Sequence, residues 1–253
     1  MRELLETAGY DIVDFKDPAD VYIINTCSVT NMADRKSRQM IHRARKHNPD
    51  AVIVAAGCYV QSAEEELKAK ETADVLIGNN KKKDIVRILD EYFQKREKTS
   101  EVLDISATKE YESLTIHKVS EHTRAYIKIQ DGCNQFCSYC IIPYTRGRIR
   151  SKRPEEVIRE IRTLAEEGYR EVVLTGIHLS SYGMDFEGEK NVNLLSIIQK
   201  VQKIDGIDRI RLGSLEPRII TEEFAQGLKE CDKVCPHFHL SLSLIHISEP
   251  TRR

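Results

Sequence analysis

Ala51-Val52-Ile53-Val54-Ala55-Ala56-Gly57-Cys58 decides how the first half of the chain is read. The apolar run has no polar alternation, so a strand here must be covered on both faces, as the strands of parallel sheets are. The same pattern recurs on either side. Val21-Tyr22-Ile23-Ile24 is a short apolar run that ends at Asn25-Thr26-Cys27, and Ala73-Asp74-Val75-Leu76-Ile77-Gly78 is another. Between and after these runs, helices are expected over Asp34 to His47, stopped by Asn48-Pro49, over Ala63 to about Lys70, and over Asp84 to Lys95. Strands alternating with helices predict an α/β domain with a parallel sheet, and ligands of such sheets sit beyond the carboxyl ends of the strands. Cys27 and Cys58 both fall there, on neighbouring strand–helix units.

Residues 97–122 are polar without a clear period and read as a linker or a pair of edge strands. A second alternating series follows. Its expected strands are Ala125–Gln130, Glu171–Thr175, Asp208–Leu212 and Phe238–Leu242, and its helices Pro154–Glu167, Asn193–Lys203 and Thr221–Lys229. Proline suits the first turn of a helix, as at Pro154. Four βα units in a row fit part of a (β/α) barrel, whose chemistry lies at the carboxyl ends of its strands.

Composition sets the limits. The chain has 253 residues, with Lys+Arg 39 against Asp+Glu 40 for a net charge of −1, 40% hydrophobic and 31% charged. That is an ordinary globular balance of about two domains, neither disordered nor basic throughout. No apolar run approaches the roughly 18 residues of a membrane helix, and the opening residues do not read as a secretory signal. The expected setting is therefore cytoplasmic and reducing, with no membrane partner. The seven Cys are too few and too unevenly spaced for a disulfide scaffold, so clustered Cys point first to metal or catalysis.

The densest cluster is Asp131-Gly132-Cys133-Asn134-Gln135-Phe136-Cys137-Ser138-Tyr139-Cys140, a C-x3-C-x2-C spacing after the first strand of the second series. Three thiolates can hold three corners of a cubane iron–sulfur cluster and leave one iron open, and an open coordination position is what distinguishes a catalytic metal. Zinc would need a fourth ligand, and no His lies close in sequence; chance placement of three core cysteines is the remaining alternative.

With the residues that follow, Ile141-Ile142-Pro143-Tyr144-Thr145-Arg146-Gly147-Arg148, the string resembles the radical S-adenosylmethionine (SAM) methylthiotransferases, the MiaB/RimO/MtaB group. Asn25-Thr26-Cys27 and Gly57-Cys58-Tyr59 are similar to that group's amino-terminal domain. The resemblance implies two [4Fe-4S] clusters. One on Cys133, Cys137 and Cys140 would bind SAM and cleave it to a 5′-deoxyadenosyl radical. An auxiliary one on Cys27 and Cys58 would take part in sulfur delivery, its third ligand normally lying on a first strand that this sequence does not show. It also implies an electron donor and a sulfur source as partners. SAM contacts are expected at Tyr139, at Thr175 and Gly176 after the second barrel strand, and at Ser214 and Glu216 after the third; loop chemistry at Gly176 and Glu216, and a core position for Tyr139, are the plainer alternatives. Cys231 and Cys235 read as ordinary thiols.

The resemblance further divides the chain into an amino-terminal domain 1–98, a linker 99–122, an incomplete radical SAM core 123–242 truncated after about four βα units, and a tail 243–253 that departs from the family and reads as non-native. On that reading the chain is a fragment unable to complete the reaction. Ser28-Val29-Thr30-Asn31 and the residues after it resemble the branch that methylthiolates N6-threonylcarbamoyladenosine in tRNA. RimO-like modification of a ribosomal protein and a non-catalytic metal-binding nucleic-acid module are the alternatives. Independently, Arg35 to His47 carries six Lys or Arg, two His and no acid. Arg35, Lys36, Arg38, Arg43 and Arg45, and then Arg146, Arg148, Arg150 and Lys152, are candidate phosphate contacts for tRNA. A solvated charged face is the competing reading.

Overall fold

The computed structural model describes residues 1–114, 124–189 and 191–242. The expected non-native tail, 243–253, and the later part of the expected linker lie outside the described residues. Among those described, residues 1–114 and 134–148 form one compact unit, and 124–133 with 149–242 a second.

The first unit runs α1 (Arg2–Thr7), β1 (Val21–Thr26), α2 (Asn31–His47), β2 (Val52–Gly57), α3 (Cys58–Ala69), β3 (Val75–Ile77), α4 (Ile85–Lys95) and β4 (Thr99–Glu101), joined later by α5 (Ile142–Arg146). Its sheet is parallel in the order β1-β2-β3-β4. Alternate residues of β2 feed opposite faces, as the strand period of two requires. Ile53 and Ala55 pack with Ile41, Ala44, Tyr59 and Leu67 from α2 and α3. Val52, Val54 and Ala56 pack with Leu5, Ile85, Ile88 and Leu89 from α1 and α4. A two-faced core of this kind is what the continuous apolar run demanded. Among the described residues, the polar stretch after residue 97 supplies one edge strand, β4, and its later part, 115–122, lies outside them.

Two boundaries differ from expectation for physical reasons. Helix α3 starts at Cys58, not Ala63; Gly57, at φ 108°, turns the strand directly into the helix, and Ala63 marks a kink inside it. Helix α2 starts at Asn31 because the Thr30 hydroxyl accepts from Ala33 N and caps it. The segment 134–148 groups with the first unit rather than with the barrel series around it: α5 packs against α3, Asn79 Nδ2 donates to Thr145 O at 2.6 Å and Arg146 Nε to Cys58 Sγ at 3.0 Å.

The second unit contains β5 (Arg124–Asp131), β6 (Arg150–Ser151), α6 (Pro154–Glu166), β7 (Glu171–Gly176), α7 (Leu194–Val201), β8 (Arg209–Leu212) and α8 (Glu222–Lys229). The sheet order is β6-β5-β7-β8; β5, β7 and β8 are parallel and β6 is antiparallel to β5. Its core joins Ile127, Ile129, Val172, Leu174, Ile210 and Leu212 from the sheet to Val157, Ile161, Ile197 and Ile198 from α6 and α7. This is the expected partial βα series with one correction. Phe238–Leu242 does not form a fourth strand; it meets the segment after β8 through the isolated bridge Leu215↔Leu240 and the Ser214–His239 contact, and Phe238, Leu240 and Leu242 stay exposed. No helix among the described residues is long and apolar enough to cross a membrane.

Candidate cofactor-binding and nucleic-acid sites

In the first unit, β1 and β2 pair in register with Thr26 opposite Gly57, so Cys27 and Cys58 leave the carboxyl ends of adjacent strands. Thr26 Oγ1 ties these ends together. It donates to Ala56 O at 2.7 Å and accepts from Tyr59 N at 3.2 Å. Only glycine fits at 57, because a Cβ there would stand 2.7 Å from Thr26 O at a φ that L side chains avoid. Cys27 is exposed; its N–H donates to Ser37 Oγ at 3.3 Å, and Ser37 Oγ donates back to Cys27 O at 3.1 Å. Cys58 is buried at the first position of α3, and its Sγ accepts from Arg146 Nε at 3.0 Å and from Asn79 Nδ2 at 3.5 Å. Lys82, 8% exposed, donates from Nζ to Asn25 Oδ1 at 3.1 Å at the same sheet end. Asn79 and Lys82 have no sequence signal except a polar Asn-Asn-Lys-Lys-Lys run directly after a strand.

In the second unit, β5 leads into Gly132 and Cys133. Gln130 is fully buried and acts as a hub: Nε2 donates to Asp131 O and Gly132 O, both at 2.8 Å, and Oε1 accepts from His178 N at 2.7 Å. A Cβ on Gly176 would fall 2.8 Å from Gln130 Oε1, so glycine at the end of β7 lets this amide reach across. Asp131 Oδ1 accepts from Gly132 N at 2.9 Å, while Oδ2 meets Lys128 Nζ at 2.9 Å and lies 4.0 Å from Arg150 Nη2. Sequence reasoning missed Gln130 and Asp131 as loop-positioning residues. Their signal is the switch from apolar alternation to two polar residues just before Gly132. Thr175 Oγ1 donates to Ile127 O at 3.1 Å, Ser214 Oγ lies 2.7 Å from His239 Nδ1, and Glu216 accepts from Arg218 while its N–H donates to Ser180 Oγ at 2.9 Å.

Cys133 closes this strand end, whereas Cys137 and Cys140 lie in the segment that groups with the first unit. Cys140 N donates to Cys137 O at 2.9 Å. Phe136 adopts φ 46°, its ring lies 5.8 Å from that of Tyr144, and Arg148 covers it at 4.4 Å. Tyr139 is 59% exposed, so it is not a core residue here. No disulfide joins any of the seven cysteines, and among the described residues no three Cys, His, Asp or Glu converge on a point that would suit a single metal ion. Three soft thiol donors without a carboxylate or imidazole among them suit iron–sulfur ligation by donor type.

The candidate phosphate contacts divide by exposure. Arg35, Lys36 and Arg43 are exposed on α2, and Arg148 is exposed beyond α5. Arg45 is occupied: it pairs with Asp74 at 2.5 Å and donates to Pro49 O and Ala51 O, binding α2 to the sheet. Arg38 donates to Tyr59 Oη at 3.2 Å and lies over that ring. Arg150 and Lys152 are corrections to the basic run, since they are 1% and 3% exposed and face Asp131 and Glu160. Arg150 lies in β6 and Lys152 directly after it, and both turn inward to buried carboxylates.

Residues 1–78 match the uncharacterized protein family UPF0004, and residues 127–247 match the Radical SAM superfamily. The threonylcarbamoyladenosine tRNA methylthiotransferase MtaB of Aquifex aeolicus (strain VF5) is 43% identical over 234 residues, covering 92% of this chain and 56% of that protein. MtaB of Bacillus subtilis (strain 168) is 42% identical over 240 residues, covering 95% and 53%. A tRNA-2-methylthio-N(6)-dimethylallyladenosine synthase of Carboxydothermus hydrogenoformans is 36% identical, covering 94% and 54%. The chain thus spans about half the length of the curated relatives it matches. Among solved structures, the radical S-adenosylmethionine methyltransferase TsrM of Kitasatospora setae superposes with a TM-score of 0.62 at 13% identity, over 90% of this chain and 50% of that one, a likeness of fold. The chain thus carries, in this order, a stretch matching UPF0004 and one matching the Radical SAM superfamily, and along nearly all of its own length it is similar to tRNA methylthiotransferases.

Proposed function

We propose that the protein is a radical SAM methylthiotransferase that converts N6-threonylcarbamoyladenosine in tRNA to its 2-methylthio derivative. The observation that carries this reading is the 43% identity to a threonylcarbamoyladenosine tRNA methylthiotransferase, in a chain that has both the C-x3-C-x2-C string and two cysteines on adjacent strand ends. Cys133, Cys137 and Cys140 would hold one [4Fe-4S] cluster, and Cys27 and Cys58 would contribute to an auxiliary one. The first cluster, when bound, supplies the electron that cleaves SAM. The residues of the chain prepare for it. Gln130 and Asp131 fix the backbone that enters the cysteine loop through Gly132, and Gly176 leaves room for the Gln130 amide. Thr175, Gly176, Ser214 and Glu216, at the carboxyl ends of β7 and β8, are the proposed SAM contacts in the second unit, with Tyr139 added from the cysteine loop. Arg35, Lys36 and Arg43 are the proposed tRNA contacts on α2, and Arg148 beyond α5. An electron donor and a sulfur source complete the set of partners, and a tRNA substrate sets the work in the cytoplasm.

The test is mass spectrometry of tRNA nucleosides from cells lacking the gene and from cells re-expressing it. The 2-methylthio derivative should vanish and return. Loss of a methylthio group from a ribosomal protein, with tRNA unchanged, would transfer the reading to a RimO-like activity.

A further inference from the structure

The segment around α5 gathers aromatic rings that the fold leaves in solvent. Pro143 and Thr145 are buried, while Tyr144 is 67% exposed and Arg148 is exposed, so one side of the segment turns into the first unit and the other out. The inner side is pinned: Thr145 O accepts from Asn79 Nδ2 at 2.6 Å, and Arg146 Nε donates to Cys58 Sγ at 3.0 Å. The outer side carries a stack. Arg148 lies over the Phe136 ring at 4.4 Å, and the Phe136 and Tyr144 rings stand at 90° with centroids 5.8 Å apart. Phe136 holds its place at φ 46°, a backbone region that costs a bulky residue free energy. A core gains little from a strained ring that stays 38% exposed.

The chemistry of the patch selects its occupant. Open aromatic faces beside an arginine stack with unpaired nucleobases, which offer a π-face whatever their identity. Protein interfaces use the same residue types, and the surrounding charge decides between the two. Cys58 and Asn79 follow β2 and β3, so α5 sits at the carboxyl end of the first unit's sheet. Arg35 and Lys36 stand exposed near the start of α2, which leaves the same end from β1. Rings and cations suited to phosphate thus share one end of one sheet. We propose that Tyr144, supported by Phe136 and Arg148, is a stacking platform for an unpaired base of tRNA. This rests on the reading of tRNA as the substrate. It adds a selection that phosphate contacts cannot make: cations hold any RNA backbone, whereas the platform takes only a base that has left its helix.

The chain contains no Trp, so Tyr144→Trp gives it a single indole at the platform. Its fluorescence is followed as tRNA lacking the 2-methylthio group, a fully paired RNA duplex or heparin is added to the whole chain. In parallel, tRNA affinity is measured against salt for the parent and for Tyr144→Leu, which keeps an apolar side chain but loses the ring. tRNA should quench the indole, and the duplex and heparin should not. Tyr144→Leu should weaken tRNA binding about tenfold at every salt concentration and leave the salt slope unchanged, because no phosphate contact is lost. Equal quenching by heparin, or parental tRNA affinity in Tyr144→Leu, would overturn the platform and leave the patch to a protein partner, with the tRNA reading in place. A parent that binds no tRNA would overturn the tRNA reading itself, and the platform with it.

Discussion

Gly57 shows how much rests on a single hydrogen atom in place of a side chain. Its φ of 108° and the 2.7 Å approach of a would-be Cβ to Thr26 O are what allow β2 to pass into α3 with Cys58 at the first helical position. Gly57→Ala should therefore destabilise the first unit by about 1–3 kcal/mol and shift the Cys58 backbone. Denaturant unfolding and the amide resonances of Cys58 and Tyr59 would register both effects; unchanged stability would mean that the junction relaxes freely. The cysteines were legible from spacing alone, because C-x3-C-x2-C is local. The partners of Cys58 were not. Asn79 and Arg146 lie far from it in sequence and from each other, and a lone Asn after a strand or an Arg in a basic run looks like surface. Arg150 and Lys152 misled for the same reason. Whether a cation faces water or a buried carboxylate depends on Asp131 and Glu160, which no local pattern links to them.

At the scale of elements, α2 is both a basic face and a structural brace. Arg45 and Arg38 are tied to Asp74 and Tyr59, so the tRNA contacts are expected from Arg35, Lys36 and Arg43. Replacing those three with Gln should weaken tRNA binding and flatten its salt dependence by up to about 0.9 in slope for each phosphate no longer neutralised. An unaltered slope would make α2 only a solvated, well-capped helix. At the start of β7, Glu171 is 4% exposed and is met by Arg124, Arg209 and Arg211 at 2.5–2.8 Å. Burial alone would raise its carboxyl; the bonds from Arg209 and Arg211 and the charge of Arg124 outweigh burial and hold it below the usual carboxylate range. A depressed folded-state value stabilises the fold above the ordinary carboxylate pKa, and that contribution is lost as pH falls through the lowered value. Glu171→Ala should cost about 1–3 kcal/mol at neutral pH and make the acid limb of the stability curve shallower. Equal losses for mutant and parent on acidification would exclude this ion cluster as the cause. Its place at the amino-terminal end of a parallel strand marks it as a stabilising feature rather than a chemical one.

For the whole molecule, the succession of two strand–helix series was readable from the residues alone, as continuous apolar runs at β1 and β2 and as alternation at β5 and β8, with the cysteine string following β5. The edges were not. β6 has only Arg150 and Ser151, too short for any period to show, and the expected strand at Phe238–Leu242 has apolar residues that nothing among the described residues covers. The grouping of residues 134–148 with the first unit was also invisible, since it lies in tertiary packing of α5 on α3 and in bonds such as Asn79 to Thr145 and Arg146 to Cys58. The central claim is that Cys133, Cys137 and Cys140 hold a cluster that cleaves SAM. It is tested by reconstituting the chain and its C133A/C137A/C140A variant with iron and sulfide, reducing both, adding SAM and measuring 5′-deoxyadenosine. The parent should turn brown and release 5′-deoxyadenosine while the variant releases none above background. Release from the variant at the parent's rate, or a colourless zinc-loaded parent that releases none, would contradict it.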